Sequence, residues 1–200
     1  MIDTISTPQT AGAPLTITIT AQDALGNTLT SYTGTNTLTD TTGTIAPTNT
    51  GAFANGVWTG QVTLTNAGTG ITVTTAGGGK SATSNAFIVE PAVASKLVYI
   101  AGAGQSVKKN QFSSIITVQR QDQYGNPTAT GAINVILSVS PNSGNFYLTG
   151  SGNPPPITTV TIPAGSSSVS YYYKDGNTGT RTLTASNAGL TSAQTTFAIT

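Results

Sequence analysis

The stretch Ile17-Thr-Ile-Thr-Ala-Gln-Asp-Ala-Leu-Gly-Asn27 decides how this chain folds. It occurs a second time as Ile116-Thr-Val-Gln-Arg-Gln-Asp-Gln-Tyr-Gly-Asn126. Both copies alternate apolar and polar residues and then close on Asp-x-x-Gly-Asn. Alternation at period two marks a strand with one buried face. Asp closes it because its carboxylate can accept backbone N–H groups two or three residues on, while Gly and Asn tolerate positive φ. Asp23, Gly26, Asn27 and Asp122, Gly125, Asn126 are therefore expected to be structural turn residues. Each copy is a strand running into a tight turn, and the rest of the chain elaborates that unit twice.

The repeat can be measured. Asp23 and Asp122 are 99 positions apart. Further on, Thr72 to Val89 lines up without gaps with Thr182 to Ile199 at an offset of 110, which sets Phe87 against Phe197. The extra residues of the second copy are expected in a loop insertion at 142–156, which contains Pro154-Pro-Pro156 and cannot be a central strand. Domains are expected at 1–90 and 91–200, joined by Glu90-Pro-Ala-Val-Ala-Ser95. Pro91 makes that joint a short, stiff connector rather than a Gly/Ser tether.

Working outward, strands are expected at 1–7, 15–22, 28–39, 57–65, 71–75 and 80–89, with a short edge strand somewhere in 41–54. Pro8 to Pro14 should break the first pair. Asn55-Gly56 is a hairpin signal. The second copy follows with 96–101, 112–121, 133–139, 160–174, 180–185 and 194–199, with 102–110 and 140–156 as loops. No window shows helical periodicity. Short strands with turns every 8–12 residues describe an all-β fold of two tandem immunoglobulin-like Greek-key β-sandwiches.

Composition narrows the role. Seven basic and six acidic residues give a net charge of +1. This excludes a nucleic-acid surface, which needs clustered Lys and Arg. There is no Cys and no His, so neither a disulfide framework nor a Ser-His-Asp or Cys-His site can form. The longest apolar run, 97–104, is far short of a membrane span, and no membrane insertion is expected. Thr accounts for 40 residues, 25 of them in the first hundred. Many occupy the outer positions of strands, giving a surface of hydroxyls where most cytoplasmic proteins carry charge. No Asn-x-Ser/Thr acceptor occurs.

The pattern Ile116 to Val139, with Asp122, Gly125, Asn126, Pro127 and Gly131, resembles the immunoglobulin-like repeats of invasin and intimin type found in large bacterial and archaeal surface proteins. The first copy departs from it at Thr28, where the family prefers Pro. The resemblance implies stalk or spacer modules of an extracellular, adhesin- or surface-layer-like protein, with neighbouring domains as partners. It supplies no site residues.

Other chemistry finds little support. Gly77-Gly-Gly-Lys-Ser81 lacks the first Gly of a phosphate loop and reads as a hairpin turn. Calcium takes 6–8 oxygens, and Glu90 with Asp122 or Asp175 could supply only two carboxylates, so no cofactor is expected. An isopeptide needs an Asn on the last strand, and 190–200 has none. The chain is not expected to be an enzyme. The alternative to a spacer is a carbohydrate- or protein-binding module using exposed Trp58, Phe146, Tyr147 and Tyr172.

Overall fold

The structure, a computed structural model, describes residues 1–200. The chain divides into two compact units, Met1–Ala92 and Val93–Thr200. Both are all-β, and each is an immunoglobulin-like sandwich with its own core.

In unit 1, β1 (Gln9–Thr10) and β2 (Leu15–Thr20) are followed by β3 (Thr37–Asp40) and β4 (Val57–Val62). Then come β5 (Gly68–Ile71), β6 (Val73–Gly77), β7 (Lys80–Thr83) and β8 (Phe87–Glu90). One layer is β2 paired antiparallel with β4. The other contains β3-β6-β7 and β5-β8-β1, with β1 parallel to β8. Alternation puts Ile17 and Ile19 of β2 inward, where they meet Leu38, Val62, Val73 and Phe87. Outward, Thr18 pairs with Thr59 and Thr74 with Thr83 through their hydroxyls, each at 3.0 Å. Such cross-strand pairs stabilise a sheet by a few tenths of a kcal/mol up to about 1 kcal/mol each.

In unit 2, β9 (Ala94–Ala101), β10 (Ser106–Val107), β11 (Ile116–Asp122) and β12 (Ile133–Ser140) precede β13 (Asn145–Tyr147) and β14 (Thr159–Ile162). β15 (Ser168–Lys174), β16 (Gly179–Asn187) and β17 (Leu190–Ile199) complete it. The strands follow one hydrogen-bonded order, β13-β15-β11-β9-β17-β16-β12-β14, which folds into two layers where β9 meets β17 at Lys96 and Thr191; β10 runs parallel to β17. Val118, Val135, Tyr171, Tyr173, Leu183 and Phe197 fill the space between.

Several elements differ from their sequence-based expectation. Of 1–7 only Ile2 bridges to Ile19, and β1 forms inside the stretch that Pro8 and Pro14 were expected to break. Positions 28–36 form no strand: Leu29 N–H is tied to Ala21, Tyr32 N–H to Leu29, and Asn36 N–H to the Thr50 hydroxyl. The expected strand at 80–89 breaks at Ser84–Asn85. The Ser84 hydroxyl accepts Val73 N–H, and the Asn85 side chain exchanges two bonds with the Ile5 backbone, so side chains replace the ladder. The expected strand at 160–174 is two strands in different layers, joined by a turn in which Ser166 N–H donates to Pro163. Both expected loops, 102–110 and 140–156, contain a short strand.

Registers place the insertion. Leu38 faces Thr75 and Leu137 faces Ala185, so this strand still keeps the 99 offset. Thr37 bridges Asn49, whereas its counterpart Ile136 faces Thr159, by which point the offset is 110. Ala46 bridges Thr63 as its counterpart Asn145 faces Lys174, so the 99 offset persists to Asn145 and the extra residues lie between there and Thr159.

At Asn55-Gly56 both residues have positive φ, 51° and 77°, and Ala54 and Val57 exchange two backbone bonds across the turn. A Cβ on Gly56 would sit 2.4 Å from the Leu29 carbonyl oxygen, so no other residue fits without displacing backbone.

Candidate functional site

The two Asp-x-x-Gly-Asn turns are superimposable in their bonding. Asp23 accepts Leu25 N–H and Asn27 N–H, each at 2.9 Å, and the Asn27 side-chain amide at 3.1 Å. Asp122 accepts Tyr124 N–H and Asn126 N–H, each at 2.9 Å, and the Asn126 amide at 2.8 Å. Gly26 and Gly125 carry the positive φ, 88° and 96°. The Asn residues do not share it; their contribution is the side-chain bond. The turns differ in burial: Asp23 is exposed, and Asp122 is fully buried. The Asn27 side chain and then backbone N–H groups hold the Asp23 carboxyl below its ordinary range.

Asp40 does comparable work. It accepts Thr42 N–H and Thr44 N–H at 2.7 Å, Ile45 N–H at 2.8 Å, and the Thr42 hydroxyl. Burial opposes its ionisation, but these donors outweigh burial and its pKa is lowered. In unit 2, Asp175 and Arg181 form a buried ion pair at 2.6 Å, with side-chain exposures of 0% and 7%. Asp175 also accepts the Ser143 hydroxyl at 2.8 Å, the Tyr173 hydroxyl at 2.9 Å and Asn177 N–H at 2.8 Å. Burial again opposes ionisation and is outweighed, so Asp175 is held below its ordinary pKa. Arg120, 1% exposed, donates to the carbonyls of Thr128, Gly131 and Ser166. Sequence reasoning weighed Asp175 only as a calcium ligand and assigned no role to Asp40, Arg120 or Arg181. The available signal was a charged residue at an inward position of an alternating strand, as at Arg120 and Arg181.

The four aromatic candidates separate. Phe146 is 4% exposed and lies in the core of unit 2, its centroid 5.3 Å from that of Tyr173. The expectation of an exposed Phe146 is corrected: it faces Tyr173 across the β13–β15 pair, and Tyr173 points inward. Trp58 is half-buried, faces Ile19 and packs at the margin of the unit 1 core. Its ring lies over Gly60, where a Cβ would meet it at 2.2 Å. Tyr147 and Tyr172 face each other across β13 and β15 on the outer face, both half-buried. Phe112 joins them edge-on to Tyr147 at 5.2 Å, and the Lys174 ammonium lies 4.9 Å from the Phe112 centroid. The structure thus brings Tyr147 and Tyr172 together and leaves Trp58 in the other unit.

Unit 1 also has a cleft of about 500 Å³ that none of these four lines. Ile19, Ala21, Tyr32, Phe53 and Ala82 form its apolar wall, with Asn36 and Thr75 as polar groups. Tyr32 stacks edge-on to Phe53 at 5.0 Å and donates to the Asn36 side-chain oxygen at 2.5 Å. Asn36 in turn donates to the Thr75 hydroxyl at 3.1 Å. No group of three or more acidic residues is placed to hold a metal ion.

With this geometry in view, known proteins can be compared. Neither a family model nor a curated protein sequence matches the chain. Solved structures do match. The chain is similar to immunoglobulin-like domains of invasin and intimin type. The D0–D1 domains of intimin are 14% identical, with 98% of this chain and 97% of that one covered at a TM-score of 0.36. Domains 4 and 5 of the S-layer protein SbsC are 20% identical over 94% of this chain and 83% of that one, TM-score 0.33. The Yersinia pseudotuberculosis adhesin InvE is 17% identical over 99% of this chain and 58% of that one, TM-score 0.40. The likeness is one of fold.

Proposed function

We infer that this chain is a non-catalytic structural spacer of an extracellular cell-surface protein, adhesin-like or surface-layer-like, whose partners are neighbouring domains. One observation carries the reading. In each unit a short early strand runs parallel to the last strand: β1 beside β8, and β10 beside β17. Backbone bonds extend both pairs, from Ala11 N–H to Glu90 and from Lys109 N–H to Thr200. Tension between the two ends of a unit pulls such strands in opposite directions along their axes. Their hydrogen bonds are then strained together in shear, whereas a hairpin pulled at its open end unzips one bond at a time. The charged groups support the same reading. Asp23, Asp40, Asp122, Asp175, Arg120 and Arg181 are all committed to turns and loop backbone, which fixes the loops and leaves none of these acids free for proton transfer. The hydroxyl-rich, charge-poor surface is in keeping with an exported protein.

Forced unfolding tests it. Pulling the whole chain by its termini should need a higher force for unit 2 than pulling through cysteines introduced at Lys109 and Thr200, where β10 and β17 finish side by side. The chain has no other cysteine, so attachment is unambiguous. An equal or lower force through the termini would overturn the spacer reading.

A second reading, a carbohydrate- or protein-binding module, is favoured by the outward cluster of Phe112, Tyr147 and Tyr172 beside Lys174. Aromatic faces next to a cation suit sugar stacking. Glycan-array binding that disappears in Tyr147→Ala/Tyr172→Ala, with the fold intact, would establish it.

A further inference from the structure

The strand order of unit 2 ends on β14, which pairs with β12 on one side and has no strand on the other. The ladder with β12 fixes which groups face that open edge. The Thr158 carbonyl accepts Leu137 N–H, and the register continues with Val160 opposite Val135 and Ile162 opposite Ile133. Antiparallel bonding alternates along a strand, so the residues between, Thr159 and Thr161, turn their N–H and C=O groups away from β12. These groups have no hydrogen-bond partner. Both residues are exposed.

The edge is bounded at both ends. Ile157 N–H is spent on the Phe146 carbonyl, and Pro163 has no N–H. What remains is a donor and an acceptor on each of Thr159 and Thr161, placed evenly about Val160. Edge strands are commonly blunted by charged side chains, yet no Asp, Glu, Lys or Arg occurs anywhere in 127–173. The corresponding stretch of unit 1 makes only the single bridge of Asn49 to Thr37 and carries Gly51 where unit 2 has Thr161. We propose that β14 pairs with β14 of a second copy of this chain, antiparallel about a twofold axis at Val160. Thr159 of each copy then faces Thr161 of the other, each facing pair exchanging both main-chain bonds. The same axis sets Pro163 against Ile157, so a residue without an N–H meets one whose N–H is already used. Charge points to the same occupant: a charged partner finds nothing to pair with along 127–173, whereas two identical uncharged faces do not repel. The strands are short, so the contact falls below the roughly 1,000 Å² of a stable interface and the pair is transient in dilute solution. This inference stands independently of the spacer reading.

The test uses the full chain, which has no cysteine of its own. Thr159→Cys and Thr161→Cys chains, mixed in equal amounts and oxidised slowly, should join preferentially to each other, because facing residues of such a pair lie within disulfide reach. The mixed disulfide should exceed either like-with-like disulfide severalfold. In the unsubstituted ¹⁵N-labelled chain, raising the concentration to the millimolar range should slow amide exchange at Thr159 and Thr161 severalfold and leave Val160, which bonds Val135, unchanged. Thr159→Lys/Thr161→Lys changes only exposed side chains and should abolish that protection by setting like charges face to face. A statistical mixture of the three disulfides, unchanged exchange at millimolar concentration, or protection that survives the lysine substitutions would overturn the proposal. Protection of the dilute chain by acetylated Thr-Val-Thr-Ile, with no self-pairing at millimolar concentration, would overturn it too and make the edge a peptide site.

Discussion

Removing the Asp175 carboxylate tests the description of unit 2 most severely. Asp175 is fully buried and accepts four donors: Arg181, Tyr173, Ser143 and Asn177. Asp175→Ala leaves the Arg181 guanidinium inside the unit with only carbonyl partners, those of Thr180, Asn177 and Thr178. Breaking a buried pair by deleting one member costs about 3–5 kcal/mol. For a unit of this size each kcal/mol moves Tm by roughly 4–8 °C, so a fall of about 12 °C or more is expected. Calorimetry on the whole chain reads it, with the unit 1 transition as internal control. Hydrogen exchange adds a local readout. Ser143, in the loop that leads into β13, donates to Asp175 and accepts from Tyr173 at 2.5 Å, so amides 143–147 should lose protection beyond the global loss. The pH dependence has a definite sign. The folded-state pKa of Asp175 lies below its unfolded value of 3.8, so its contribution is fully present above that value and fades as pH falls through the folded pKa. The gap between wild type and Asp175→Ala should therefore narrow only below about pH 4. A Tm shift of a degree or two, or a gap that closes near neutral pH, would refute the assignment.

Three further outcomes follow from the same geometry. Asp122→Ala should cost about 1–3 kcal/mol by thermal denaturation, since it leaves buried donors unpaired; Asp23→Ala, the same turn in solvent, should cost measurably less. Gly56→Ala should destabilise unit 1 selectively, because the added carbon meets the Leu29 carbonyl at 2.4 Å; an unchanged unit 1 transition would show that the turn can shift. Phe146→Ala should lower the unit 2 transition by about 3–5 kcal/mol, whereas Tyr172→Ala, on the outer face, should cost far less; comparable losses would mean that the two faces of β13–β15 are misassigned.

Strand alternation and turn chemistry were legible in the sequence because both are local. Period two in 15–20 and 116–122, and Asp-x-x-Gly-Asn after each, dictate their backbone with little help from elsewhere. Breaks set by distant partners were not legible. Asn85 interrupts its strand because it bonds the backbone of Ile5, 80 positions away. The aromatic candidates failed for a related reason. Phe146 and Tyr147 are adjacent and chemically alike, and only the register of β13 on β15 decides which one faces the core. The cleft was invisible for want of a motif.

The two units solve one structural problem in opposite ways, which explains why charge appears where it does. The registers equate Ile71, opposite Phe87, with Arg181, opposite Phe197. They equate Leu64 with Asp175 as well: Gly12 N–H donates to the Leu64 carbonyl and Asn110 N–H to the Asp175 carbonyl, each at 2.7 Å. Where unit 1 packs Leu64 against its core, unit 2 buries an ion pair. Apolar replacement of a buried pair is often neutral or stabilising, so stability alone does not account for the charges. The loop does. In unit 1 the chain after β3 turns immediately under Asp40, which holds the N–H groups of Thr42, Thr44 and Ile45. Val139 stands at that place in unit 2 and can hold nothing. Asp175 supplies from the end of β15 what Asp40 supplies from within β3, a carboxylate that grips the departing loop at Ser143. Arg181 neutralises that carboxylate in the interior. The ion pair and the missing loop acid are thus one feature: a loop without a carboxylate of its own needs an anchor outside itself, and a buried anchor of that sign needs a cation.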